Sequence, residues 1–263
     1  MTQLSQSTRE LAQIAFDAGK IIMKYYGGEP LAARTKADES PVTAADEEAE
    51  AFILSRLKIV APDVPVIAEE EAASGRLAKI GSRFFLVDPL DGTKEFLSRN
   101  GEFTVNIAEV INGAPVRGVV HIPAKDRLFA GEVAHGAFDV TVANGALDWA
   151  NARRIEVCRP SEDGLVVVAS RSHRDYKTEE FLAGYKVKEF KAAGSSLKFC
   201  LVAAGEADLY PRLGRTMEWD TAAGHAVLAA AGGSVTTIDG RPFVYGKVEE
   251  KFANPFFLAR GAK

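Results

Sequence analysis

The sequence predicts a mixed α and β fold in two halves, an α+β half followed by an α/β half. Apolar and small or polar residues alternate over 103–108 before the turn at Asn112-Gly113, which predicts an antiparallel hairpin. Later in the chain, apolar runs alternate with helical patterns, which is typical of a sheet covered by helices. The pattern is weakest over 139–154. We therefore expect the halves to comprise residues 1–150 and 151–263.

Two helices are predicted near the start of the chain. Apolar residues from Leu11 to Tyr25 recur at helical spacing, and Gly27-Gly28 supplies a stop. A second helix follows a polar stretch, with Thr43 as a suitable N-cap and Asp46 at the third helical position, as in a capping box. From its local sequence alone, Asp46 is therefore predicted to be an acid that caps the second helix.

The stretch from Asp88 to Phe96 is the feature around which we expect the functional site to be organised. It follows 83–87, an apolar run that predicts a buried strand. Asp88 and Asp91 lie three residues apart, and Gly92 permits a sharp turn. Two like charges held this close repel unless a positive charge lies beside them, and Mg²⁺ with oxygen ligands suits such a site. The alternative is a strand-ending Asp-Gly turn capped by its own side chains.

Further acidic residues stand at the ends of predicted elements. Asp46 lies at a helix start, Glu69 follows the short strand 64–68, and Asp220 begins an Ala-rich helix. Glu69 could equally belong to a solvated run of three glutamates. Taken together, carboxylates that hold metal and helix N-termini that suit phosphate describe metal-assisted phosphoester hydrolysis. Since no Ser, Cys or His stands in a recognisable nucleophile context, a metal-activated water is the expected nucleophile.

The second half predicts a separate region for binding an anion. Leu165 to Ala169 is a continuous apolar run, as in a strand covered on both faces, and it ends at Ser170-Arg171-Ser172-His173. Gly194-Ser195-Ser196 opens a helix that carries Lys198, and a short strand ends at Pro211-Arg212. A helix start with hydroxyls and a cation suits a phosphate, although 170–173 could also be strand-end capping.

Composition limits the class of protein. The 263 residues are 47% hydrophobic and 26% charged, as in an ordinary globular protein, and the net charge of −4 argues against binding a nucleic acid polymer. The two cysteines, Cys158 and Cys200, are too few for a disulfide framework. No secretory signal and no apolar run long enough to span a bilayer is seen, so a reduced cytoplasmic compartment is expected. His121, His225 and Cys200 are expected to pack in the interior rather than to react.

Two motifs together resemble the signatures of the inositol monophosphatase superfamily: Asp88-Pro89-Leu90-Asp91-Gly92-Thr93 and Trp219-Asp220-Thr221-Ala222-Ala223-Gly224. Within that superfamily, four stretches are similar to the CysQ-type 3′(2′),5′-bisphosphate nucleotidases. They are 40–46, 88–106, 170–173 and 194–199. The similarity runs from about residue 8 to residue 258, which is nearly the whole chain.

The resemblance implies a set of metal ligands. Glu69, Asp88 and the carbonyl of Leu90 would hold one Mg²⁺, and Asp88, Asp91 and Asp220 would hold a second. Glu69 would reach a weaker third ion through water. The cofactor expected is therefore two Mg²⁺ ions, with a third more weakly held.

The resemblance also implies the catalytic and substrate-binding residues. Thr93 and Asp46 would orient and deprotonate the attacking water, and the backbone of Gly92 and Thr93 would meet the scissile phosphate. Residues expected to border the substrate comprise the metal ligands and a nucleotide cradle: Glu69, Leu90, Asp91, Gly92, Thr93, His173, Ser195, Ser196, Lys198, Arg212 and Asp220.

The fold implied by the resemblance is the layered α-β-α-β-α sandwich of the sugar phosphatases. The activity implied is removal of the 3′-phosphate of adenosine 3′,5′-bisphosphate, giving AMP and phosphate, in sulfate assimilation and nucleotide recycling. Such enzymes are typically inhibited by Li⁺. Some bacterial relatives attach loosely to the cytoplasmic side of the inner membrane, and nothing in this sequence indicates an anchor or an oligomeric state.

Two alternatives to the nucleotidase remain open at this point. An inositol monophosphatase would use the same metals on a different polyol. A non-catalytic nucleotide sensor would keep the phosphate cradle without turnover. The cation of Lys198 beside Gly194-Ser195-Ser196 counts against the inositol alternative, since a monophosphate needs no second phosphate site. The presence of Asp46, Thr93 and the metal carboxylates counts against the sensor.

Overall fold

The computed structural model describes residues 4–27, 34–35, 41–42, 44–170 and 176–262 of the chain. The predicted N-cap Thr43 and the predicted substrate contact His173 lie outside these residues. The helices are α1 Gln6–Tyr26, α2 Ala44–Val60, α3 Glu69–Ala73, α4 Thr93–Leu97, α5 Tyr176–Leu182, α6 Leu197–Ala203 and α7 Glu218–Ala230, with a 3₁₀ turn at Pro123–Lys125. The strands are β1 Arg34–Thr35, β2 Pro41–Val42, β3 Val66–Ala68, β4 Arg83–Asp91, β5 Thr104–Ile111, β6 Ala114–Ile122, β7 Arg127–Glu132, β8 Gly136–Ala143, β9 Ala146–Leu147, β10 Arg153–Ile155, β11 Leu165–Ser170, β12 Val187–Ala193, β13 Leu209–Arg212, β14 Ser234–Thr237 and β15 Phe257–Arg260.

The strands form two main sheets. The larger sheet has the order β10-β8-β7-β6-β5-β4-β3, with β9 paired to β8, and is antiparallel except for the parallel pair β3 and β4. The smaller sheet has the order β12-β11-β13-β15-β14, in which the first three strands are parallel. β1 and β2 form a separate antiparallel pair. The antiparallel hairpin predicted after residue 103 is confirmed, and its β5–β6 turn uses Asn112 and Gly113 at φ 52° and 77°.

Three hydrophobic clusters show that these elements stack in five layers. On β4, Phe85 and Val87 pack with α1 and α2, whereas Phe84 and Leu86 face the other way and pack with α6 and α7. This alternation follows from the two-residue period of a strand. The cluster that contains Phe84 and Leu86 continues through α6 and α7 to the inner face of the smaller sheet. A further cluster lies between that sheet and α5. The predicted α-β-α-β-α sandwich is confirmed, and its middle layer of α6 and α7 joins the two sheets.

The sequence patterns do not predict α3, which follows β3 directly, or α4, which follows β4 after Gly92. Each helix has five residues, too few to display a helical period.

The side chains expected to pack in the interior do so: His121 lies 3.1 Å from the carbonyl oxygen of Ala15, and His225 lies 3.1 Å from the Tyr245 hydroxyl. Burial lowers the pKa of both histidines to about 4 and raises that of Cys200. No helix in the described part of the chain is long and apolar enough to cross a bilayer.

A close approach between β6 and α7 depends on Gly118. A Cβ atom at this position would lie 2.3 Å from the carbonyl oxygen of Ala223 on α7. We expect Gly118→Ala to push α7 away from the sheet and to lower the free energy of unfolding by about 1–3 kcal/mol, the usual cost of overpacking. Gly81→Ala is the control, because a Cβ there meets nothing within 4 Å. The expectation would be contradicted if thermal unfolding gave Gly118→Ala and Gly81→Ala the same melting temperature as the wild type.

Candidate active site

The edge of the larger sheet brings the first two acids together. β3 and β4 are parallel neighbours in which Ala68 pairs with Val87, so the residues that follow, Glu69 and Asp88, emerge side by side. α7 begins at the same place and presents Asp220 at its third position. Ligand oxygens of Glu69, Asp88 and Asp220 all lie within 4.8 Å of one another. The structure therefore joins three predicted metal ligands that are far apart in sequence.

A β-bulge adds Asp91 to this group. Asp88 pairs with Asn106 and Asp91 pairs with Thr104, so three steps on β4 oppose two steps on β5. Residues three apart on a regular strand point to opposite faces, and the extra residue compensates for this difference. The Asp91 charge accordingly acts on both Asp88 and Asp220.

The acids repel one another in a poorly solvated place. Asp88 is 1% exposed, and burial together with the charges of Glu69 and Asp91 raises its pKa well above the usual range. The pKa of Asp220 is raised by burial and by Asp91 and Glu69, against the opposing influence of the Met217 N–H and Arg212. Oxygen donors that carry unfavourable negative charge fit a hard divalent cation such as Mg²⁺.

Hydrogen bonds hold each of the central carboxylates. Asp88 Oδ1 accepts the N–H of Leu90 at 3.1 Å, and Asp220 Oδ2 accepts the N–H of Met217 at 2.8 Å, which caps α7. Asp91 Oδ2 accepts Ser195 Oγ at 2.5 Å and the Ser196 N–H at 2.9 Å. These bonds set the carboxylate directions before any ligand arrives.

The loop predicted as a phosphate cradle lies against the acids. Ser195 adopts the left-handed conformation at φ 51°, and the neighbouring Ser196 donates from Oγ to the carbonyl oxygen of Asp220 at 2.6 Å. A Cβ on Gly92 would lie 3.4 Å from Cβ of Ser195, so the turn after Asp91 touches this loop. Ser195 and Ser196 thus connect α6 to both acidic motifs.

Lys198 lies inside the protein beneath this loop. The side chain is buried at 4% exposure, and its ammonium donates to the carbonyl oxygens of Ser195 at 2.6 Å and Ala193 at 3.4 Å. Burial lowers its pKa to about 8. These contacts hold the backbone of the cradle, a role that the sequence pattern does not distinguish from a direct phosphate contact.

Arg212 brings a second cation towards the acids. It ends β13, and its Nη2 donates to the carbonyl oxygen of Arg215 at 3.2 Å. Its Nε is buried and has no acceptor among the described residues. The guanidinium charge acts on both Asp220 and Lys198.

The two residues of the predicted catalytic pair lie at the starts of two different helices. Gly92, at φ 92°, ends the Asp88–Asp91 turn, and Thr93 is the first residue of α4. Asp46 is buried on the first turn of α2 and contributes to the raised pKa of Asp88. Asp46 is therefore near the cluster, and its partnership with Thr93 stays a prediction.

Several polar residues of this region were not identified from the sequence as parts of a site. Thr104 and Asn106 on β5 are buried; Thr104 Oγ1 contacts Ser195 Oγ and donates to Asn106 Oδ1 at 3.0 Å. Glu50 on α2 accepts the N–H groups of Glu70 and Glu71, and burial raises its pKa to about 7 although these bonds oppose the shift. The alternation of apolar and polar residues on β5 could equally indicate a polar face exposed to solvent. For Glu50, the available signal was its position four residues after Asp46, which places both acids on the same face of α2.

Removing one acid should relieve the repulsion. We expect Asp88→Asn, in protein treated with EDTA, to raise the free energy of unfolding by about 0.5–2 kcal/mol, the usual size of a stabilising substitution. The same variant should lose most of the increase in melting temperature that Mg²⁺ produces in the wild type. Asp63→Asn, at an exposed position, is the control and should change neither quantity. A less stable EDTA-treated Asp88→Asn protein would contradict the electrostatic account.

Comparison with known proteins identifies the family. A family model described as "Inositol monophosphatase family" matches residues 3–261. The 3′(2′),5′-bisphosphate nucleotidase CysQ of Shigella flexneri is 45% identical over 251 residues, which cover 94% of this chain and 97% of that protein. The CysQ crystal structure from Bacteroides thetaiotaomicron superposes with a TM-score of 0.81 at 36% identity, covering 98% of this chain and 97% of that one. An inositol monophosphatase from Anabaena gives 0.73 at 28% identity, with 97% and 90% covered. The chain belongs to the inositol monophosphatase family.

Proposed function

We propose that the protein is a Mg²⁺-dependent phosphatase that removes the 3′-phosphate of adenosine 3′,5′-bisphosphate, giving AMP and inorganic phosphate. The observation that carries this proposal is the meeting of Glu69, Asp88 and Asp220 within 4.8 Å at one edge of the sheet. The nucleotide is proposed because CysQ proteins, named as bisphosphate nucleotidases, share 45% identity over nearly the whole chain.

The same acids would hold the metal. We assign Glu69, Asp88 and the Leu90 carbonyl to one ion, and Asp88, Asp91 and Asp220 to a second, with a weaker third near Glu69. The hydrogen bonds that the structure shows for the Asp91 carboxylate all reach Oδ2, which makes Oδ1 the oxygen we assign to metal. Bound Mg²⁺ would neutralise charge on the phosphoryl group and lower the pKa of a nearby water.

The turn after Asp91 would receive the scissile phosphate. Gly92 is left-handed, and the chain enters α4 at Thr93, where backbone N–H groups of the first turn have no intrahelical acceptor. Such groups suit phosphate oxygens. Thr93 Oγ1 and the Asp46 carboxylate would take the proton of the attacking water.

The far phosphate and the nucleoside would lie towards the second half of the chain. Ser195 and Ser196 border this side of the acids, and the buried Nε of Arg212 has no acceptor among the described residues. We assign the Arg212 guanidinium to the remaining phosphate. Lys198 would act through the loop that it holds, and His173 is retained in the proposal from the sequence alone.

A comparison of two substrates tests this function. We expect phosphate release from adenosine 3′,5′-bisphosphate to exceed release from inositol 1-phosphate, because only the first carries a second phosphate for Arg212. Activity should disappear in excess EDTA, return with Mg²⁺ and fall with Li⁺. Asp63→Asn should behave as the wild type throughout. Faster hydrolysis of inositol 1-phosphate would favour an inositol monophosphatase, and undiminished turnover in EDTA would refute metal dependence.

A double-mutant cycle tests the catalytic pair. At saturating Mg²⁺, Thr93→Ala and Asp46→Asn should each lower kcat by about 10²–10⁴-fold, the usual contribution of general-base catalysis. The double variant should be scarcely slower than either single one, since residues acting as a unit are not additive. Ser98→Ala, which removes an exposed hydroxyl at the end of α4, is the control. Fully additive losses would show that the two residues do not share a proton path.

A further inference from the structure

Glu50 is a buried glutamate that binds the first turn of α3 from another helix. It lies on α2 and is 4% exposed. Its Oε2 accepts the N–H of Glu70 at 2.7 Å, and its Oε1 accepts the N–H of Glu71 at 2.9 Å. Since Ala68, the residue before α3, has no side chain that can cap the helix, Glu50 supplies the missing acceptors from a distance of twenty residues in sequence.

α3 depends on such support. It has only five residues, all described and none fully buried, so its length gives it little stability of its own, and Ala72 is packed only in part against the core. Two hydrogen bonds to Glu50 hold its start beside the preceding strand β3. The first residue of this helix is Glu69, whose carboxylate must remain within 4.8 Å of Asp88 and Asp220. A small rotation of the first turn would withdraw that carboxylate from the group.

A carboxylate suits this position better than other polar side chains. In its ionised form it offers two acceptor oxygens and no hydrogen-bond donor, so both backbone N–H groups are satisfied by charge-assisted bonds. Glutamine would offer one oxygen and would set its NH₂ group against a backbone donor. The same arrangement recurs at Glu218, which accepts the N–H groups of Gly246 and Lys247 at 2.7 and 2.9 Å.

We propose that Glu50 is a positioning residue for metal binding, which sets the affinity of the site for Mg²⁺ by orienting the first turn of α3 and therefore Glu69. This inference rests on the proposed metal-dependent phosphatase function. Glu50 touches neither metal nor substrate; it acts through the backbone of Glu70 and Glu71. Replacing a residue that orients a metal ligand commonly lowers metal affinity 10–100-fold.

The test measures Mg²⁺ binding without substrate, by calorimetry and by the Mg²⁺-induced change in melting temperature. In Glu50→Gln the dissociation constant for Mg²⁺ should rise at least about 10-fold. The Mg²⁺ concentration for half-maximal turnover should rise by the same factor, whereas kcat at saturating Mg²⁺ should return to within about twofold of the wild type. Glu50→Asp keeps the charge but is one methylene shorter, and should also weaken Mg²⁺ binding.

Glu132→Gln is the matched control. Glu132 is also 4% exposed and also binds the start of a helix, since its Oε2 accepts the Ser5 N–H at 3.0 Å and Thr8 Oγ1 at 2.8 Å. That helix, α1, carries none of the metal carboxylates. Glu132→Gln should therefore lower the melting temperature and leave the Mg²⁺ dissociation constant unchanged.

The outcomes separate the two proposals. If Glu50→Gln lowers the melting temperature as Glu132→Gln does while its Mg²⁺ affinity equals that of the wild type, Glu50 is only structural and the inference is overturned. If Glu50→Gln does not fold, Glu50→Asp is judged by the same criterion. If the wild type itself neither binds Mg²⁺ nor needs it for turnover, the proposed function fails, and the positioning role fails with it.

Discussion

The mutual repulsion of carboxylates buried at one edge of the larger sheet is the interaction on which the site depends. Glu69, Asp88 and Asp220 lie within 4.8 Å of one another, and Asp91 adds its charge to theirs. Because burial raises the free energy of each ionised carboxylate, the cluster destabilises the fold unless a cation lies beside it. Hydrophobic packing must offset this cost, and the continuous cores on both faces of the sheet provide that packing.

The layered fold makes this arrangement possible. The parallel pair β3 and β4 delivers two acids to one edge, and α7, which packs across the sheet between the two layers of strands, delivers Asp220 to the same place. Backbone and hydroxyl donors then direct the carboxylates, among them the Leu90 and Met217 N–H groups and Ser195. Preorganisation of this kind would place the ligand oxygens before a metal binds.

Local sequence and tertiary structure point to different roles for some residues. Asp46 is a helix-capping acid by its position on α2, yet it lies close enough to raise the pKa of Asp88. Lys198 suggests a phosphate contact by its place after Gly194-Ser195-Ser196, yet its ammonium binds backbone carbonyls inside the protein. In both cases the difference arises because the side chain is buried, and the burial of a single polar side chain depends on elements distant in sequence.

The sequence by itself determined the long helices α1, α2 and α7, strands such as β3 to β6, β11 and β13, the turns at Gly92 and Asn112-Gly113, and the acids that form the cluster. These features depend on local spacing and on residue chemistry. Only the tertiary structure decided that the β4 bulge directs Asp91 towards Asp88, that Ser195 and Ser196 join Asp91 to Asp220, and that Glu50 supports the helix of Glu69. Each of these contacts joins residues through strand register or helix packing, which are consequences of how the whole chain folds.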